Sequence, residues 1–212
     1  MFFDFGKLAT KDRYKLMSFT IVPRPIAWVV TVGKNGDRNA APFSFFNVMT
    51  SNPPILALGL TTHGRATKDT TRQIAETGQF VVNLVPNSLI DQMNLTAVEF
   101  GPEVDELAEA RLSVVPSTLI IPPRIAESPV AFECELFHDH ALPTGQHIIL
   151  GKVLAAHVAD HAVLDRDKCY IDTLKLDLVG RIADKYLHVD KFFELPRISL
   201  EQWVAGQSLQ KP

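Results

Sequence analysis

Six short runs of β-branched, aromatic and aliphatic residues, with few helical patterns between them, constrain this chain most. They cover residues 26–32 (IAWVVTV), 39–46, 55–60 (ILALGL), 80–85 (FVVNLV), 130–138 (VAFECELFH) and 148–158 (IILGKVLAAHV). Runs of this kind bounded by turn residues read as strands. The first runs into a turn, GKNG at 33–36, which makes 39–46 its hairpin partner. Within FECELF, Phe132, Cys134 and Leu136 alternate with Glu133 and Glu135. That alternation predicts an antiparallel strand with one face buried and one face wet.

Helical signals are sparse. Residues 71–77 follow a capping-box pair, Thr70 and Gln73, and stop at Gly78. Residues 89–96 and 103–110 are further helical candidates. Six strands with few helices between them predict a mainly β fold, an antiparallel Greek-key barrel and not a parallel βαβ sheet. No repeat or Gly/Ser linker interrupts the chain, so a single domain over 1–212 is the expectation.

Several function classes fall away. A net charge of −3 without a basic stripe argues against a nucleic-acid partner. No apolar run approaches the roughly 20 residues of a membrane span, and the N-terminus lacks signal-peptide order. Cys134 and Cys169 have neither CxxC spacing nor disulfide density, so the expected setting is cytoplasmic, with both thiols reduced. The sequence has no GxGxxG, no GxxxxGK[ST] and no GxSxG. His138 with His140, and His157 with His161, suggest metal ligands. Strand residues four apart are about 13 Å apart, however, and the closer pair has no evident third ligand, so no metal is expected.

Two stretches carry chemistry. Residues 64–70, GRATKDT, bring Arg65 and Lys68 to the start of a helix whose first N–H groups lack internal partners. Those donors, the helix dipole and Thr67, Asp69 and Thr70 suit an anion; they suit an ordinary capped loop as well. Residues 41–54, APFSFFNVMTSNPP, hold Ser44 and Asn47, which can bond the edge of a heterocycle, and Phe45–Asn47 backbone donors. Phe43, Phe45 and Phe46 cannot all face one way in a strand, so at least one belongs at a rim or interface.

Taken in order, PRPIAWVVT, APFSFFNVMTSNPP, GRATKDT, TGQFVVNL, MNLTAVEF, ESPVAFECEL, LGKV and VGRIADKY followed by FFELPR resemble one family. The chain is similar to the flavin reductase-like proteins of the FMN-binding split-barrel superfamily, the branch that includes flavoredoxin. The resemblance covers about residues 19–197. It implies a six-stranded antiparallel Greek-key split barrel with a few flanking helices, a homodimer, and FMN bound near the subunit interface. Carried onto this chain, Ser44, Phe45, Phe46 and Asn47 would line the flavin. Arg65, Lys68, Asp69 and Thr70 would hold its phosphate and ribityl tail. Asn83 matches a strand residue near the flavin, although it equally suits a satisfied barrel asparagine. Arg181 and Tyr186 match the C-terminal motif, near the cofactor or in interface packing. Related chains often have a second Gly after GR, where this one reads Arg181-Ile182-Ala183; alanine disfavours a positive φ.

Arg24 is open between a structural latch and a second phosphate ligand, and His147 and His157 are candidates for substrate contact. The resemblance implies an NAD(P)H-dependent flavin reductase transferring hydride to FMN, in which the cofactor carries the reaction and no acid–base constellation is needed. A monooxygenase or redox protein would be its partner. The alternatives are a flavoredoxin-like FMN electron carrier and a flavin-binding module without catalysis.

Overall fold

The computed structural model describes residues 1–60, 69–101 and 103–204. Among them, seven strands form one antiparallel ladder: β1 Ala27–Val32, β2 Arg38–Phe43, β3 Phe46–Ser51, β4 Pro54–Leu60, β5 Gln79–Leu84, β6 Val130–Ala141 and β7 His147–Val158. Their order is β2-β1-β5-β6-β7-β4-β3. The two edge strands are consecutive in the chain, separated only by Ser44 and Phe45. One bent stretch therefore ends one edge of the ladder and begins the other, and this seam curls the sheet into the split barrel.

The extra strand is a correction with a simple cause. The sequence predicts one strand over 39–46, but the backbone turns at Ser44–Phe45 and pairs onward with β4 from Phe46. At the seam, the Gly59 N–H donates to the Phe45 carbonyl at 2.7 Å. A Cβ on Gly59 would lie 3.0 Å from the Phe45 Cβ, so only glycine lets the two chain segments approach this closely without displacement.

Period-2 alternation sorts the core into two layers. From β1, Ala27 and Val29 point into the barrel, with Phe43, Leu58, Phe80, Val82, Cys134 and Ile149. Its other face sends Ile26, Trp28 and Val30 outward, against Met93, Leu107 and Ile125 from the 87–125 region. β1 is thus buried on both faces, as its unbroken apolar run suggests. The predicted one-wet-face strand at FECELF fails at Glu133, which is fully buried. Residues 116–122 lie over it, and the Thr118 and Leu119 N–H groups donate to its carboxylate at 2.6 and 2.7 Å.

The helices differ in detail from the sequence reading. Helix α1, Thr10–Thr20, carries no apolar stripe and buries only Ser18, which is why the pattern misses it. Helix α2 spans Asp69–Thr77, two residues longer than expected, and ends at Gly78 with φ 69°. Its capping box does not form. Thr70 lies inside the helix and accepts from Asn39 Nδ2 at 2.8 Å, while Gln73 is drawn to Thr31 and Asp37. Tertiary partners outcompete the local pairing. The 89–96 candidate is a short turn followed by α3, Ile90–Leu95. The 103–110 candidate shrinks to one turn, α4 Glu106–Glu109, capped by the Asp105 carboxylate on Leu107 N–H at 3.0 Å.

Beside the barrel, β8 (Val179–Ile182) and β9 (Lys185–His188) form a hairpin whose first strand pairs with Arg24–Pro25. Its turn places Ala183 at φ 50°, the conformation that a glycine would adopt freely. A left-handed conformation costs an L-residue roughly 1–2 kcal/mol, partly offset by the chain entropy a glycine loses. Ala183→Gly is therefore expected to stabilise the fold by about 0.5–1 kcal/mol. A higher urea midpoint at unchanged slope checks this, and an unchanged or lower midpoint contradicts it.

Candidate functional site

A cleft of about 650 Å³ opens between the seam, the start of α2, residues 93–100 and the β8–β9 hairpin. Each wall has its own anchor. Trp28, fully buried, donates from Nε1 to Thr96 Oγ1 at 2.9 Å, and Thr96 Oγ1 donates to Met93 O at 2.8 Å. This pins the 93–100 wall onto β1. Helix α2 is tied to the β1–β2 turn by Arg72, which bonds Asp69 at 2.8 Å, Asp37 at 3.1 Å and Glu76 at 3.1 Å. These three carboxylates push the Arg72 guanidinium pKa upward, the Asp69 hydrogen bond most.

The cleft has two chemically distinct ends. One is aromatic. Phe45 stacks on Tyr14 of α1 with ring centroids 5.8 Å apart and planes 30° from parallel. Nearby, the Arg181 guanidinium lies 4.4 Å from the Tyr186 ring centre, a cation–π arrangement that flattens both groups against the hairpin. The other end is polar, with Asn39, Asp69, Thr70 and Glu106. Burial pushes the Glu106 carboxyl above its usual range, and Asp105 and Asp69 add to this. Its own N–H and that of Ala40, the latter at 3.1 Å, work against the rise.

Arg24 sits under this floor. Its Nη1 donates to Ser18 O and, at 3.1 Å, to Ile21 O; Nη2 reaches Ala183 O at 3.4 Å and Nε reaches Ser44 Oγ at 3.5 Å. One buried fork thus ties α1, the β8–β9 turn and the seam together. The latch reading accounts for every one of these contacts.

Of the residues singled out in the sequence, Phe43, Ser44, Phe45, Asp69, Thr70, Arg181 and Tyr186 meet on the cleft. Arg65 and Lys68 lie outside the described residues. Phe46 and Asn47 do not face the main cleft. The turn at the seam sends them to a separate groove of about 280 Å³, which Ser44 and Phe45 also border. Asn83 is a barrel strut: fully buried, it donates to Trp28 O at 3.0 Å and accepts from Ile125 N at 3.0 Å. His157 binds Glu133 at 2.6 Å and His147 binds Asp139 at 2.8 Å, and neither borders the cleft. The three phenylalanines divide as expected, with Phe43 in the core and Phe45 at the rim.

Sequence reasoning missed Tyr14, Asn39, Asn94 and Glu106. The block MNLTAVEF, which holds Asn94, was visible as a segment but carried no role of its own. Asn39 and Glu106 gave no local signal, because they sit on β2 and α4, two elements far apart in sequence. The two cysteines are free, Cys134 in the core and Cys169 exposed. Burial pushes the Cys134 thiol up to about 12, which leaves it an inert core group. Among the described residues no helix is long and apolar enough to cross a membrane. No group of three or more His, Cys, Asp or Glu placed to hold a metal occurs among them either.

The fold is an antiparallel split barrel with a cleft that is aromatic at one end and polar at the other. The chain belongs to the flavin reductase-like family, whose domain model matches residues 18–172. Tyr14, Arg181 and Tyr186 lie outside that match. An uncharacterized protein of Deinococcus radiodurans is 39% identical over 208 residues, covering 95% of this chain and 91% of its own. Among solved structures, nitrilotriacetate monooxygenase component B from Bacillus cereus is 31% identical with a TM-score of 0.86, covering 92% of this chain and 98% of that one. The 2-nitrobenzoate 2-nitroreductase NbaA of Pseudomonas fluorescens is 27% identical with a TM-score of 0.86, covering 94% and 98%. Family membership supports a flavin-related oxidoreductase.

Proposed function

We propose that this protein is an FMN-binding oxidoreductase, an NAD(P)H-dependent flavin reductase that works as a homodimer and passes reduced flavin to a partner monooxygenase. The observation that carries the reading is the two-ended cleft. Its volume lies within the roughly 300–1,000 Å³ of small-molecule sites. The donor set fits the group. A phosphate suits the first N–H groups of α2 and the Thr70 hydroxyl, whose oxygen accepts from Asn39 Nδ2. The Asp69 and Glu106 carboxylates supply acceptors for the hydroxyls of a ribityl chain. Phe45 and Tyr14 form a flat wall for a ring system, and Arg181 supplies positive charge for its N1–C2 carbonyl edge.

When bound, FMN supplies the hydride and electron chemistry. The chain's own residues orient it and set its electrostatics. Arg181 would favour the anionic reduced ring, and its stacking on Tyr186 holds the guanidinium in place. No side chain is required to take a proton from the nicotinamide. The partner role is supported by the component B similarity, since that protein carries a monooxygenase name.

Titration with FMN and with riboflavin tests the orientation. Thr70→Ala is expected to weaken FMN about tenfold, one charge-assisted hydrogen bond. Riboflavin, without the phosphate, should lose less than twofold. Equal losses refute the phosphate placement. Anaerobic addition of NADH or NADPH should then bleach the flavin band; no binding of FMN at micromolar concentration overturns the whole reading.

A further inference from the structure

Residues 190–203 leave the body as an arm. The last hydrogen bond to the barrel side among the described residues is Val189 N–H to Leu178 O at 3.0 Å. Beyond it every residue to Trp203 is exposed, including Phe192 at 72%, Phe193 at 86%, Leu195 at 78% and Trp203 at 72%. A soluble chain rarely leaves this much contiguous apolar surface in water. On the body, a second apolar surface is also without cover among the described residues. The 280 Å³ groove beside the seam is bordered by Met17, Ile21, Pro23, Phe46, Met49 and Ile148, with Met49 52% and Ile21 58% exposed. One of its walls is α1, an 11-residue helix that buries only Ser18.

We infer that the arm of one copy of this chain docks in the seam groove of a second copy, and reciprocally. Three observations favour a second copy as the occupant. The arm and the groove are both apolar, and among the described residues of the protomer nothing covers either. Ten residues without regular structure, 190–199, reach roughly 33 Å when extended, enough to cross onto a neighbour. The three aromatic rings of each arm can bury roughly 150–250 Å² apiece. Two exchanged arms therefore supply on the order of 1,000 Å² of ring surface, most of a standard interface of about 1,200–2,000 Å². Reciprocal exchange closes as a two-fold pair and leaves no free end for further growth. The groove shares Ser44, Phe45 and Gly59 with the cleft, so the partner's arm would stiffen the aromatic wall from behind. The inference rests on the homodimer of the proposed function and names the element that joins it.

The two tryptophans make the test direct, because Trp28 is fully buried and serves as an internal reference for Trp203. Sedimentation velocity and acrylamide quenching are run together on the full chain without flavin. A dimer with Trp203 shielded is expected. Phe192→Ser combined with Phe193→Ser, and separately Met49→Glu, should each raise the dimer dissociation constant at least tenfold and expose Trp203 to quencher. All three sites are exposed in the protomer, so folding is preserved. A dimer whose Trp203 quenches freely overturns the arm and leaves the dimer standing. A monomer at all concentrations overturns both, while the FMN titration still judges the flavin reading on its own.

Discussion

Glu133→Ala is expected to lower the unfolding free energy by about 2–3 kcal/mol, because it takes a charged acceptor from two part-buried backbone N–H groups. The carboxylate is fully buried and accepts from the Thr118 and Leu119 N–H groups and from His157 Nε2. Alanine leaves two backbone donors without an acceptor and detaches residues 116–122 from the outer face of β6. Glu133→Gln should recover part of the loss, because its carbonyl oxygen still accepts while its amide faces the remaining donors. Burial by itself would raise the Glu133 pKa, but the two N–H groups and His157 together hold it below the usual carboxylate range. The sign of the pH dependence follows. A folded-state pKa below the unfolded value of about 4.3 gives stability that is present above that value and lost as pH falls through the folded pKa. The gap between wild type and Glu133→Gln in urea midpoints should therefore be constant near neutrality and shrink in acid below about pH 4. A gap that widens in acid would contradict the assignment.

Arg24→Ala is the second large effect, a loss of about 3 kcal/mol, since one guanidinium satisfies the buried Ser18 carbonyl and reaches three part-buried acceptors through charge-assisted bonds. Removing it orphans the Ser18, Ile21 and Ala183 carbonyls and frees Ser44 from its underside. Thermal melting and the rate of proteolytic cleavage within α1 should both register the change. Arg24→Lys should recover less than half, because an ammonium is a point charge without the planar fork that spans three directions. The same variants separate the two roles the sequence leaves open for Arg24. An unchanged melting temperature with a tenfold loss of FMN affinity would make it a phosphate ligand and not a latch.

The strands were legible because their signal is local. Alternation and unbroken apolar runs place β1, β4, β5, β6 and β7 within a few residues, and Gly78 ends α2 where its positive φ is needed. The arrangement around the strands was less legible. Thr70 and Gln73 spell a capping box, yet Asn39, Thr31 and Asp37 offer buried partners from a hairpin some thirty to forty residues away. Glu133 reads as the wet face of a strand because nothing near it in sequence announces the segment that covers it.

The chain's sequence by itself determined the mainly β architecture, the family and the two stretches around which the cleft forms. Each of these depends on residue type at short spacing. Only the tertiary structure decided which of the candidate residues share a wall. The bend at Ser44–Phe45 keeps those two on the cleft and turns Phe46 and Asn47 to the groove behind it. The pairing of β5 with β1 consumes Asn83 in the barrel, while α1 and the β8–β9 hairpin bring Tyr14 and Arg181 to one mouth. A side chain's neighbours are set by contacts between distant segments, and one bend in a strand reassigns every residue after it to another face.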